Sequence, residues 1–204
     1  MSDTPNTIRG RWLGLVFLTV GVAMIIVDST VINVAIPSII RDLKVDITTA
    51  QWANTIYSLV FAALLITFGS LADRIGRRRM FFIGVGLFMG ASLLAGLAPT
   101  GLLLIGARML QGVAGAIILP AALSTLNATF TGRDRAMAFG MWGAVIGGMV
   151  ALGPLVGGWC TTNLSWRWAF FVNIPAGIAA ILGVRRWVAE TRDPERVRGF
   201  DPFG

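Results

Sequence analysis

The stretch Met24–Ile40, "MIIVDSTVINVAIPSII", is apolar enough to lie within a membrane except for the carboxylate of Asp28. An ionised side chain is costly in lipid, so an acid inside a spanning helix is a functional candidate by default. Counting back from an outer end near Ile40 at the rise of an α-helix places Asp28 about 18 Å deep. The alternative is a purely structural carboxylate that is paired with an arginine.

The composition of the whole chain indicates a lipid environment. Of its 204 residues, 55% are apolar and only 13% are charged, with a mean hydropathy of +0.76, whereas soluble domains carry about 25% charged residues. The net charge of +7 would suit a nucleic-acid partner, but the arginines cluster in short loops and no nucleic-acid motif is present, so none is expected.

The chain has no histidine, and Cys160 is its single cysteine. A disulfide framework, a Cys/His metal site and histidine-dependent catalysis are therefore excluded. We expect no enzyme, no metal and no cofactor.

Charge-poor segments of about 20 residues are long enough to cross a bilayer as helices. The first begins after Arg9 and Arg11 as a signal peptide would, but it has no small-residue cleavage site, so we expect a retained span. The sequence predicts a domain of six helices at 12–185, preceded by a cytoplasmic N-terminus at 1–11 and followed by a cytoplasmic tail at 186–204. The predicted spans are 12–40, 48–72, 80–98, 102–130, 137–163 and 168–185.

The distribution of Lys and Arg predicts the orientation, because cytoplasmic loops are enriched in both. Three of these residues fall on one side, namely Arg41, Lys44 and Arg167, and Arg108 lies within a span. The other thirteen fall on the opposite side, which we expect to be cytoplasmic together with both termini: Arg9, Arg11, Arg74, Arg77, Arg78, Arg79, Arg133, Arg135, Arg185, Arg186, Arg192, Arg196 and Arg198.

The fourth span carries a second ionisable residue in "RMLQGVAGAIILP", residues 108–120. Arg108 is expected about 9 Å from the outer end, with Gln111 one turn further in on the same face. An arginine at this depth can instead extend its side chain to the interface. The glycines that follow favour a closely packed helix, so Arg108 and Gln111 are site candidates, and Asn33 is a weaker candidate for a polar cavity contact.

The connection between spans two and three reads "GSLADRIGRRR", residues 69–79. Its glycines allow close helix approach and a tight turn, and its acid can accept hydrogen bonds from neighbouring arginines. A simple positive-inside anchor would explain the three arginines but not the glycines and the acid at this spacing. The candidate residues are Gly69, Asp73, Arg74, Gly76, Arg77 and Arg78.

Span five contains small residues at four-residue intervals, which let two helix backbones approach closely. Pro154 removes a backbone hydrogen bond within this span and can kink it. The pattern is typical of ordinary helix packing, and the functional interpretation adds that the contact seals or hinges a pathway. The residues are Gly143, Gly147, Gly153, Pro154, Gly157 and Gly158.

Together these motifs resemble the major facilitator superfamily. "GSLADRIGRRR", "RMLQGVAGA" and "ALGPLVGG" resemble its signatures in the helix 2–3 loop, helix 4 and helix 5, and "VDSTVINVAIPSI" and "WRWAFFVNIPAGI" resemble its drug:proton antiporters with fourteen spans. Met149 stands where the helix 5 signature usually has glycine. The resemblance implies an N-terminal bundle of two inverted three-helix repeats, with a missing second bundle as partner. A half-length transporter that dimerises is the alternative.

The resemblance also implies a function: export of amphipathic, often cationic, small molecules in exchange for protons, across the cell (inner) membrane. Asp28 would take the proton or the substrate charge, with Arg108 as modulator, and the helix 2–3 loop would form the cytoplasmic gate. Two alternatives are a proton-coupled symporter for sugars or organic acids and a membrane scaffold without transport. An intramembrane enzyme is the least favoured.

Overall fold

The computed structural model describes residues 8–190, and between them it contains helices and no β-strand. Residues 1–7 of the predicted N-terminal segment and 191–204 of the predicted tail lie outside the described residues. The helices are α1 Ile8–Leu43, α2 Ile47–Ile75, α3 Arg77–Gly96, α4 Gly101–Thr129, α5 Gly132–Asn163, α6 Trp168–Phe171 and α7 Asn173–Trp187.

Within this range six segments are long and apolar enough to cross a membrane, and they correspond to the six predicted spans. Each of the first five is one helix, and the sixth consists of α6 and α7. The all-helical fold predicted from the sequence is therefore confirmed. Most helix ends lie a few residues beyond the predicted span ends. The spans are predicted from apolar residues alone, whereas the terminal turns of the helices also contain polar residues.

Local sequence explains where the helices begin. The Asp46 side chain accepts a hydrogen bond from the Thr49 amide at 3.1 Å and caps α2. Hydrogen bonding from the Thr49 side chain, together with this backbone bond, holds the pKa of the Asp46 carboxyl below its usual range. Thr100 caps α4 in the same way through the Leu103 amide. Side-chain acceptors at these positions satisfy amides that a helix start leaves unpaired.

Gly76 separates α2 from α3 as a single linking residue. Its φ of 124° lies in the region that side chains with a Cβ rarely adopt. The tight turn predicted at this glycine is therefore present, and it reverses the chain without a longer loop.

The sixth span is interrupted at Val172, between α6 and α7. Pro175 follows in the first turn of α7, where its missing N–H removes no helical bond that a regular start would have. The interruption places Asn173 at the beginning of a new helix. By contrast, α1, α4 and α5 continue through Pro37, Pro120 and Pro154 respectively.

The helix packing follows a similar pattern when the first three spans are exchanged with the last three. α2 packs on α4 as α5 packs on α1, and α3 packs on α4 as α7 packs on α1. This is the pattern that two three-helix repeats produce. α1 and α4 are the central and most enclosed helices, while α2 and α5 leave most of their surface uncovered.

Three parts of the chain meet at one end of the bundle. A Cβ added to Gly14 near the start of α1 would lie 2.9 Å from Val188 Cγ2, just after α7. Glu190 accepts hydrogen bonds from the backbone amides of Arg78 and Arg79 in the α2–α3 turn. The start of α1, the α2–α3 turn and the end of α7 therefore share this end, and its assignment to the cytoplasm stays a prediction.

Candidate functional site

Asp28 and Arg108 form a salt bridge inside the bundle, between Arg108 Nη1 and Asp28 Oδ2. The two residues are 2% and 0% exposed. Ion pairs that are removed from solvent require near-complete hydrogen bonding to offset the desolvation of both charges. The surroundings of this pair supply most of that bonding.

The second carboxylate oxygen of Asp28 is held by two side-chain amides. Oδ1 accepts from Gln111 Nε2 on α4 and from Asn173 Nδ2 at the start of α7, both at 2.9 Å. The same two amide nitrogens also donate to Ser92 Oγ on α3, at 2.9 and 3.1 Å. These four hydrogen bonds close a ring in which α1, α3, α4 and α7 each contribute one residue.

Arg108 has partners besides the carboxylate. Its Nη1 donates to Gln111 Oε1 at 2.8 Å, and its Nε donates to the Ala53 carbonyl of α2 at 3.2 Å. The guanidinium lies 4.2 Å from the ring centroid of Tyr57, a favourable cation–π distance. Within residues 8–190 its Nη2 has no hydrogen-bond partner.

These contacts exclude the alternative in which Arg108 extends to the interface. The side chain is enclosed because α4 approaches α2 closely beside it. A Cβ added to Gly112 would lie 2.7 Å from the Tyr57 carbonyl, and one added to Gly115 would lie 3.0 Å from the Phe61 ring. The glycines of "RMLQGVAGA" thus bring α2 against α4 and close the site on one side.

Asn33 lies outside this network. It is exposed on α1 and bonds to Asn54 of α2, whose Nδ2 donates to Asn33 Oδ1 at 2.9 Å. The structure therefore brings Asp28, Arg108 and Gln111 together and leaves Asn33 on the bundle surface.

The residues predicted for the cytoplasmic gate surround the α2–α3 turn. Arg77 Nε donates to Asp73 Oδ1 at 3.0 Å, and Arg78 Nη1 donates to the Val188 carbonyl at 2.9 Å, while Arg74 is exposed. The predicted role of Gly69 in allowing close helix approach stays a prediction. A Cβ there would meet only Pro120, at 3.7 Å, which is an ordinary contact.

The glycines of α5 fall into two groups. A Cβ at Gly153 would overlap the Thr30 hydroxyl, and one at Gly157 would lie 2.9 Å from Val31 Cγ1, so both glycines pack tightly on α1. Gly143 and Gly147 have no described atom within 4 Å of such a Cβ, and the same holds for Gly158. Pro154 is exposed. The predicted close contact thus occurs, among the described residues, only at Gly153 and Gly157.

Sequence reasoning missed two members of the buried network, Ser92 and Asn173. Both are uncharged and lie in apolar segments, "MGASLLAG" and "FVNIPAG". The signal in the sequence was Asn173 itself, because a side-chain amide inside a predicted span needs a hydrogen-bond partner. Glu190 was also missed, although its carboxylate caps the start of α3.

A bundle of six spanning helices with an ion pair enclosed at its centre defines a multi-pass membrane protein with a polar core. The sequence pattern of the Major Facilitator Superfamily matches residues 7–202. The chain belongs to this family.

Curated relatives support this assignment. The puromycin resistance protein pur8 of Streptomyces alboniger is 45% identical over 92% of this chain and 38% of its own length. The multidrug efflux pump LfrA of Mycolicibacterium smegmatis is 40% identical over 99% of this chain and 41% of its own. The tetracenomycin C resistance and export protein of Streptomyces glaucescens is 37% identical over the whole chain. The chain thus spans about two-fifths of these relatives.

Solved structures show the same fold. The peptide transporter POT in complex with alafosfalin superposes with a TM-score of 0.72 at 20% identity, over 85% of this chain and 37% of the transporter. A second structure of this transporter, in complex with sulfate, gives a TM-score of 0.71. The family and its relatives point to a transporter rather than an enzyme.

Proposed function

We propose that the chain is the N-terminal half of a proton-coupled efflux transporter in the cell (inner) membrane, with both of its ends in the cytoplasm. Its substrates are drugs or other amphipathic small molecules, as the names of its relatives suggest. The single observation that carries the proposal is the enclosed Asp28–Arg108 pair, because a passive anchor has no need of two charges at its centre.

The chemistry of the pair suits a proton that is bound and released in turn. While Arg108 donates to Asp28, the carboxylate is favoured in its charged form. When Arg108 moves away in an apolar surrounding, the same carboxylate is favoured in its protonated form. A conformational change that alternates these two environments would take up a proton on one side of the membrane and release it on the other.

The uncovered surfaces of α2 and α5 support a second bundle as the partner of this one. Gly143 and Gly147 lie on α5 where no described residue approaches, and small residues are what a close-packed membrane partner requires. The substrate pathway would run between the two bundles, and the α2–α3 turn with Asp73, Arg74, Arg77 and Arg78 would form the gate at its cytoplasmic end.

The proposal is tested in a chimera in which this chain is joined to the second half of the puromycin resistance protein. Dye export driven by an imposed pH gradient is measured in inverted vesicles. We expect Asp28→Asn to abolish proton-driven export, because an amide cannot be deprotonated. Asn163→Ala, at the exposed end of α5, is the matched control and should export like the parent chimera.

Export by the Asp28→Asn chimera at the parent rate under the same gradient would remove Asp28 as the coupling acid. Export that runs down a substrate gradient in the variant, without any response to pH, would instead indicate a carrier whose coupling has been lost. That second result would support the proposed role.

A further inference from the structure

We infer that the two carboxylate oxygens of Asp28 have separate tasks. Oδ1 stays fixed by neutral donors, of which Asn173 is the positioning residue that links the sixth span to the site. Oδ2 exchanges Arg108 for a proton. The inference rests on the proposed function, and it adds which atom receives the proton and which residues hold the carboxylate while it does so.

The donors on Oδ1 do not depend on the charge of the carboxylate. Gln111 and Asn173 each use both hydrogens of one amide nitrogen, one for Asp28 Oδ1 and one for Ser92 Oγ. This fixes the orientation of both amides. Since a carbonyl oxygen of a protonated carboxyl group still accepts hydrogen bonds, the ring can persist in both protonation states.

The partner on Oδ2 can leave at lower cost. Besides Asp28, Arg108 has hydrogen bonds to Gln111 Oε1 and the Ala53 carbonyl and a contact with the Tyr57 ring, and these partners can hold the guanidinium when it releases Asp28. Its Nη2 is also unpaired within the described chain, so the guanidinium is not held on every side. The Ala53 carbonyl and the Tyr57 ring both belong to α2, which is among the least enclosed helices. A movement of α2 would therefore carry Arg108 with it.

The proton step follows directly. Arg108 Nη1 withdraws from Oδ2, and a proton from water adds to the lone pair that it vacates, which gives a neutral carboxyl group. The guanidinium keeps its own protons, so the site gains one positive charge. Release is the reverse: the O–H bond breaks, the proton returns to water and Arg108 re-forms the ion pair.

Few other ionisable groups face this carboxylate. α4 contributes Arg108 and α2 contributes Tyr57, while α3 and α7 present only Ser92 and Asn173. α5 packs on the neighbouring part of α1 through Gly153 and Gly157, and its Cys160 follows one turn beyond. A pH response of the site therefore reports on Asp28.

The experiment measures protonation directly rather than transport. The purified 204-residue chain is reconstituted in lipid, and its protonated-carboxyl C=O band is followed by infrared difference spectroscopy as a function of pH. The Asp28→Asn spectrum supplies the background. The variant Asn173→Leu keeps the branched arrangement of four side-chain heavy atoms and lacks both donors.

We expect the midpoint of the Asp28 band to move to higher pH by about one unit in Asn173→Leu, because the lost hydrogen bond is stronger to the charged carboxylate than to the carbonyl oxygen of the protonated group. Ser92→Ala should give a smaller shift in the same direction, since both amides keep their bond to Asp28. Asn173→Gln, which retains an amide, should show a smaller shift than Asn173→Leu, and Asn163→Ala should show none. Helical circular dichroism identifies any variant that fails to fold, in which case Ser92→Ala carries the test.

The outcomes separate this inference from the proposed function. An Asp28 band whose midpoint is the same in Asn173→Leu, Ser92→Ala and the parent would overturn the fixed role of Oδ1 and leave proton coupling intact. A band that never appears in the parent would overturn both. A shifted midpoint together with full pH-driven export by the Asp28→Asn chimera would overturn the function alone.

Discussion

Two of the three aspartate–arginine pairs among the described residues are of opposite kinds, one at the centre of the bundle and one at its surface. Asp28 and Arg108 are 80 residues apart in the sequence and belong to different helices. Asp73 and Arg77 are four residues apart at the α2–α3 turn, and their side chains are each 15% exposed. The same chemical groups thus meet in an interior without solvent and at an end of the bundle.

The difference determines what each pair can do. The surface pair forms from local sequence alone, and water can replace either partner. The central pair has no such replacement, so its charges must be satisfied by protein atoms or changed by a proton. Only the central pair therefore suits a coupling site, whereas the surface pair orders a turn.

The largest expected effect comes from breaking the central pair. Arg108→Leu should lower the stability of the bundle by about 3–5 kcal/mol, because it leaves a buried carboxylate without its cation. Thermal unfolding of the chain in detergent measures this loss.

The matched variant removes both charges. Asp28→Leu combined with Arg108→Leu should recover much of the lost stability, because no uncompensated charge remains. A double variant that is no more stable than Arg108→Leu would mean that the network stabilises the bundle through its shape rather than through charge compensation.

A smaller effect is expected at the end of the bundle opposite the α2–α3 turn. Arg167 pairs with Asp42 there and also donates to the Ala98 carbonyl at 3.1 Å, and its side chain is 29% exposed. Arg167→Ala should cost about 1 kcal/mol, the upper range for an exposed pair. The unfolding temperature of the Arg167→Ala variant should depend less on salt than that of the parent chain. An unchanged salt dependence would contradict a contribution from the Arg167–Asp42 pair.

The smallest effect is expected for the surface pair. Arg77→Ala should lower stability by about 0.5 kcal/mol, within the usual range for an ion pair at a protein surface. The measurement is the same thermal unfolding, with Arg133→Ala, on the exposed first turn of α5, as the control. A loss comparable to that of Arg108→Leu would remove the distinction between the two pairs.

The sequence was sufficient for the parts of the site that carry charge. Asp28 and Arg108 are conspicuous because an ionisable residue in an apolar span needs a reason, and Gln111 follows Arg108 on the same helix face. Their depths could be estimated from the helical rise. Their direct contact could not, because it depends on how α1 is rotated against α4.

The uncharged members of the site could not be found in this way. Ser92 and Asn173 change the hydropathy of their spans little, and Asn173 is 145 residues from Asp28. The glycines of α5 show the same limit, since Gly147 and Gly157 look equivalent in the sequence. The rotation of α5 about its axis decides which of them touches α1, and the spacing of the glycines in the sequence does not reveal that rotation.

The ring of hydrogen bonds around Asp28 Oδ1 also bears on how the protein is made. Asn173 is the last member of the ring to be synthesised, after Asp28, Ser92 and Gln111. Until then Asp28 Oδ1 and Ser92 Oγ each lack one of their amide donors. The sixth span thus completes the polar centre, because Asn173 supplies donors that Asp28 Oδ1 and Ser92 Oγ otherwise lack.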